Sequence, residues 1–121
     1  MTWEEFLALS DGEQEIKGLA ALRETVAEAG EDFIYRDVLC AYVTDGTPAC
    51  LIAQAATKLG ASISTLLGWD GLEQGDITNV AISLNYPISE RLITAWATAQ
   101  SQQDRRATWG EALRRAEVVL R

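Results

Sequence analysis

The chain has 121 residues, 48% hydrophobic and 23% charged, with a net charge of −8 and no histidine. That length suits one ordinary domain, able to bury about two-thirds of its unfolded surface without help from a disulfide or metal. The missing His excludes Ser-His-Asp and Cys-His catalysis and the usual zinc sites with His ligands, and no run approaches the ~20 apolar residues of a membrane span.

Thr2 with Glu5 forms a capping-box pattern for a short opening helix that carries Trp3, Phe6 and Leu7. This start is acidic, whereas an export signal begins with positive charge, so a cytoplasmic setting is expected. After Ser10-Asp11-Gly12, a longer helix is predicted from about Gly12 to Ala29, with Asp11 as N-cap and Gly30 as terminator. Its expected apolar face is Ile16, Leu19, Ala20, Val26 and Ala27. Phe33-Ile34-Tyr35 and Leu39-Cys40-Ala41-Tyr42-Val43 are rich in aromatic and β-branched residues and predict a minor β-hairpin near residues 33–43.

Asp45-Gly46 is a turn signal, and Thr47-Pro48 reads as the start of a helix from Pro48 to about Leu59, ending at Gly60. Ser62 caps a further short helix through Leu67, followed by a glycine-punctuated loop around Trp69. Asp76 precedes a segment that fits either period. Ile77, Val80, Ala81 and Leu84 have helical spacing, while Val80, Ile82 and Leu84 alternate like a strand. Ile88, Leu92, Ala95, Trp96 and Ala99 form a stripe that predicts a helix of about fifteen residues, started at Ser89. Thr108 and Glu111 open the last helix, whose stripe is Trp109, Ala112, Leu113, Ala116 and Leu120. The expected fold is mainly α, a single compact domain over residues 1–121 with five or six helices.

Charge is uneven along the chain. Ten acidic and three basic groups give −7 over residues 1–37, and five acidic groups and one Lys give −4 over 38–90. Three acidic groups and six Arg then give +3 over 91–121, so the C-terminal helices are expected to pack near the acidic N-terminal ones.

Residues 52–69 have the pattern of a helix-turn-helix, with small Ala56 at the crossing and Gly60 at the turn. A DNA-binding reading would rest on Lys58, Ser62, Ser64 and Thr65. Groove readout, however, needs cations for phosphate, and Lys58 is the sole cation between Val38 and Glu90. Nucleic acid is therefore not the expected partner. Cys50, near a helix start, suggests a thiol nucleophile on one reading, but no His stands by as base and Leu51-Ile52 follow. The expectation is that Cys40 and Cys50 are reduced structural thiols. Asp11-Gly12-Glu13-Gln14-Glu15 fails as a calcium loop, since Ile16 and Leu22 stand where glycine and a carboxylate are required. No catalytic, cofactor or metal residue is marked out, and no cofactor is expected.

Asp32-Phe33-Ile34-Tyr35, Cys40-Ala41-Tyr42-Val43 and Asp45-Gly46-Thr47-Pro48-Ala49-Cys50-Leu51-Ile52 carry a resemblance, together with Ala99-Gln100, Gln103-Asp104 and Thr108-Trp109-Gly110-Glu111-Ala112-Leu113. They resemble segments of small uncharacterised proteins of actinobacteria and actinobacteriophages. The similarity spans about two-thirds of the chain, and its motifs are structural punctuation. What it implies is a bacterial or phage cytoplasmic origin. The expected function is a non-catalytic protein-interaction module, an accessory factor binding a host protein, with a helix-turn-helix regulator as the alternative. Trp3 and Trp69, one terminal and one beside glycines, are the expected contact residues, and a homodimer is a further possibility that the apolar stripes leave open.

Overall fold

In the computed structural model, which describes residues 1–37 and 41–121, most helix starts follow the caps written in the sequence, although Ser10 and not Asp11 caps the long second helix. Helix α1 (Trp3–Leu7) has the full capping box, with Glu5 N–H on Thr2 Oγ1 and Thr2 N–H on Glu5 Oε1, both at 3.0 Å. Helix α2 (Asp11–Ala29) is capped by Ser10, and α4 (Ile63–Asp70) by Ser62. Asp76 caps α5 (Ile77–Ser83), which settles that segment as helix, and Ser89 caps α6 (Glu90–Asp104). Thr108 caps α7 (Trp109–Val119) through the Glu111 N–H, while the Glu111 carboxylate turns to Arg114 and Arg115. Helix α3 (Leu51–Lys58) begins at Cys50, which provides no side-chain cap.

The described residues thus form a mostly helical, single compact domain of seven helices and one small antiparallel sheet. None of its helices is long and apolar enough to cross a membrane. Helix α6 is the hub, packing against α2, α3, α5 and α7. The core is continuous, with Phe6, Leu22, Leu51, Ile52, Leu66, Ile77, Leu92 and all four tryptophans buried.

The hairpin lies later in the chain than residues 33–43. Its strands are β1 (Val43–Thr44) and β2 (Thr47–Pro48), with Val43 opposite Pro48 and Thr44 opposite Thr47. Asp45 (φ 53°) and Gly46 (φ 75°) both adopt positive φ, as a two-residue hairpin turn requires. Pro48 consequently ends a strand, and α3 starts three residues later than its position suggested. Residues 38–40, including Cys40, lie outside the described residues.

Segment 31–37 makes no strand pairing because its carbonyls are used elsewhere. Glu31 O accepts from Gly110 N–H (2.9 Å) and Phe33 O from Trp109 N–H (2.8 Å), so the segment satisfies two otherwise unpaired donors of α7. Arg106 Nη1 donates to Tyr35 O (2.7 Å) and Asp37 O (3.1 Å). Alternate carbonyls of one extended segment therefore clamp the α6–α7 corner. Gly110 allows this approach, since a Cβ there would lie 2.8 Å from Glu31 O.

The buried face of α2 is also rotated from the expected stripe. Gln14, Gly18, Ala21, Leu22, Thr25 and Val26 face inward, while Ile16 is 72% exposed and Ala20 and Ala27 face solvent. Gly18 sets the rotation by letting α6 come close. A Cβ there would meet Leu92 Cδ1 at 2.5 Å, and Trp96 Nε1 donates to Gly18 O at 3.4 Å. The C-terminal helices pack against α2 as expected. Arg91–Glu15 (3.0 Å) pairs them in the expected sense, whereas Arg23–Glu117 (2.7 Å) runs the opposite way, from the acidic end's Arg to the basic end's Glu.

Candidate functional site

Trp3 and Trp69, the expected contact residues, are only 3% and 0% exposed, which corrects that assignment. Helix α4 continues a turn past Leu67 to Asp70, so Trp69 falls three residues after Leu66 on the same buried face. Its ring meets Trp3, Tyr42 and Tyr86 edge-on, at centroid distances of 5.7, 5.2 and 6.2 Å. Its Nε1 donates to Tyr86 Oη at 2.9 Å. The two tryptophans are the foundation under Tyr86, and Tyr86 itself reaches the surface.

Above that foundation lies a groove of about 550 Å³ between α5 and the start of α6. Ala81, Ile82, Tyr86, Ile88 and Ile93 give it an apolar lining, with Thr78, Asn85, Glu90 and Thr94 at its polar positions. Ile82 is 71% exposed, and Tyr86, Ile88 and Ile93 are half-buried. The alternation of Val80, Ile82 and Leu84, which resembled a strand, has this origin: Val80 anchors α5 in the core, while Ile82 and Leu84 face out. The start of α5 borders a second cavity of about 470 Å³, lined by Asp76, Thr78, Asn79, Ala97, Gln100, Ser101, Asp104 and Arg105.

Three buried glutamines, not singled out in the sequence, brace the helix starts, two of them on this face. Gln100 Oε1 accepts the Ile77 N–H (2.8 Å) at the start of α5, and its Nε2 donates to Tyr42 Oη (3.0 Å). Tyr42 Oη in turn donates to Gly75 O, and burial raises its phenol above the ordinary tyrosine range. Gln14 Oε1 accepts from Ser89 N–H (2.8 Å) at the start of α6, and its amide donates to Pro87 O (2.9 Å). Gln103 Oε1 accepts from Leu51 N–H (2.8 Å), supplying the cap that Cys50 does not. Each amide comes from a long helix and satisfies a backbone donor at the start of another. The available signal was position: Gln100 and Gln103 continue the Trp96–Ala99 stripe.

Helices α3 and α4 meet at a tight corner, with Gly60 at φ 102° and its Cα packed against the Thr2–Trp3 backbone. Ser62 and Ser64 are exposed on α4 and Thr65 is half-buried, with Ser62 Oγ accepting from Thr65 N–H (3.1 Å). Lys58 is drawn to Glu28 on α2 at 2.7 Å. The Asp70 carboxylate, at the other end of α4, accepts from Tyr42 and Val43 N–H groups (2.8 and 3.0 Å). The exposed side of α4 therefore carries no cation. Of the C-terminal arginines, Arg114 and Arg115 pair with Glu111, and Arg106 with the 35–37 carbonyls. Cys50 is 2% exposed, between β2 and α3. No group of three or more His, Cys, Asp or Glu suited to a metal ion occurs among the described residues.

Comparison with protein-family models, with curated proteins and with solved structures gives no match.

Proposed function

We propose that this chain is a non-catalytic protein-interaction module whose contact surface is the α5–α6 groove. The observation that carries the reading is the exposure of Ile82 beside half-buried Tyr86, Ile88 and Ile93, around a cavity of about 550 Å³. A contiguous apolar concavity rimmed by polar residues is the usual form of a binding groove. Covering one such isoleucine is worth up to about 1.5–3 kcal/mol. The aromatic cluster and the capping glutamines beneath hold the groove in shape before any partner arrives, which lowers the ordering cost of binding. The resemblance to proteins of actinobacteria and actinobacteriophages supports a bacterial or phage cytoplasmic origin, the setting in which a phage or prophage accessory factor would act on a host protein.

The alternative, a DNA-binding regulator using residues 52–69, draws support from the α3–α4 corner alone, because Lys58 is neutralised by Glu28.

A photo-cross-linking residue at position 82, compared with one at the exposed Ile16 on α2, tests the proposal in bacterial cells expressing the chain. A discrete host-protein adduct is expected from position 82 and not from position 16. Identical adduct patterns from the two positions, or none from either, would refute it.

A further inference from the structure

We infer that the α5–α6 groove is one end of a longer trench that takes a basic amphipathic helix of about fourteen residues. This inference rests on the interaction reading above and names the chemistry of the partner.

The apolar groove and the 470 Å³ cavity share Thr78 as a wall. Along α6, the first is lined by Glu90, Ile93 and Thr94 and the second by Ala97, Ser101 and Asp104. Those positions recur at intervals of three and four, so they form one continuous face of α6. From Glu90 to Asp104 that face is about 21 Å long at 1.5 Å per residue, the length of a fourteen-residue helix. An amphipathic helix in such a trench presents apolar anchors at i, i+3, i+4 and i+7.

The two ends differ in chemistry. Ile82, Tyr86, Ile88 and Ile93 make the first end apolar, whereas Asp76 and Asp104 make the second acidic. Glu90 adds a third carboxylate to the walls, and Arg105 is the one cation lining either cavity. The occupant thus carries its apolar anchors toward the first end and Lys or Arg toward the second, with a further cation opposite Glu90. A second copy of this chain, at −8 net charge, is repelled overall from an acidic trench, although its residues 91–121 carry +3.

The test uses the full chain, ¹⁵N-labelled, titrated with two synthetic fifteen-residue helical peptides. They share one Leu stripe and differ only in having Lys or Glu at every polar position. The Lys peptide is expected to shift the amides of Ala81, Ile82, Ile93, Ala97 and Ser101. It should bind at least tenfold tighter than the Glu peptide and weaken at least fivefold between about 50 and 300 mM salt. Ile82→Gln, at an exposed position, should reduce its affinity at least fivefold while leaving the spectrum of the free protein folded. Equal affinity for the two peptides, or shifts mapping away from α5 and α6, would overturn the inference. If neither peptide binds while position 82 still cross-links to a host protein, the basic-helix assignment falls and the interaction module stands. If the cross-link is absent too, both fall.

Discussion

Gln103→Met isolates the contribution of one buried amide to this fold. Gln103 is fully buried, and its Oε1 is the acceptor for Leu51 N–H at 2.8 Å. Leu51 is itself fully buried, and Cys50 provides no substitute cap. Methionine nearly preserves length and volume, so little cavity or overpacking energy enters. It removes the acceptor and leaves one buried N–H without a partner, at a cost of about 1–3 kcal/mol. The second bond of the amide, to Asp104 Oδ1 at 3.3 Å, is long and adds little. Gain from burying a thioether offsets part of the loss, so a net destabilisation of about 2 kcal/mol is expected. At roughly 4 °C per kcal/mol for a domain of this length, the midpoint should fall by about 8 °C. Thermal unfolding measures the midpoint and urea unfolding the free energy, both followed by tryptophan fluorescence, with Gln102→Met, one residue away and half-buried, as the control. The denaturant slope should be unchanged, since the same surface is exposed on unfolding. If Gln103→Met lies within about 0.5 kcal/mol of both the wild type and the control, the amide is not the cap of α3 and the reasoning fails.

Three further outcomes follow from the same geometry. Gly60→Ala combines a positive φ with a Cβ 2.5 Å from the Thr2 carbonyl carbon, so α1 must shift; thermal unfolding should show a loss exceeding about 2 kcal/mol, whereas Gly12→Ala, with open space at its Cβ, should be near neutral. Bonds from the Thr2 backbone and hydroxyl hold the Glu5 carboxyl below its ordinary 4.5, as bonds from Arg115 and Arg114 do for Glu111. Their contribution is complete above pH 4.5 and disappears as pH falls through the lowered values, so the stability gap between wild type and Glu5→Gln/Glu111→Gln should be smaller at pH 3 than at pH 7 in urea titrations. For residues 52–69, a gel-shift assay at ~50 mM salt should show no duplex binding, and Lys58→Ala should change nothing; a salt-sensitive shift lost in that variant would revive the regulator reading.

Most helix starts were legible because capping is local. Thr2, Ser62, Asp76, Ser89 and Thr108 each bond a backbone N–H three residues on, and a short polar side chain before an apolar run announces this. The stripe of α6 was equally legible, with Leu92, Ala95, Trp96 and Ala99 all buried. The apolar groove was partly written as well, though in disguise. Ile82 gave α5 its strand-like alternation with Val80 and Leu84 because it belongs to the surface rather than the core.

What the linear chain determined, then, is where most helices begin and which residue types they carry, since those depend on neighbours three or four positions away; α3, capped from Gln103, is the exception. Tertiary structure alone decided which face of α2 turns inward, because the close approach of Leu92 to Gly18 spans more than seventy positions of chain. It likewise decided that Trp3 and Trp69 lie under Tyr86, and that segment 31–37 gives its carbonyls to Arg106, Trp109 and Gly110 instead of a neighbouring strand. A backbone carbonyl or an indole has no intrinsic preference between partners near and far in sequence. The partner is chosen by which arrangement leaves the fewest buried donors unpaired, and that is a property of the whole packed domain.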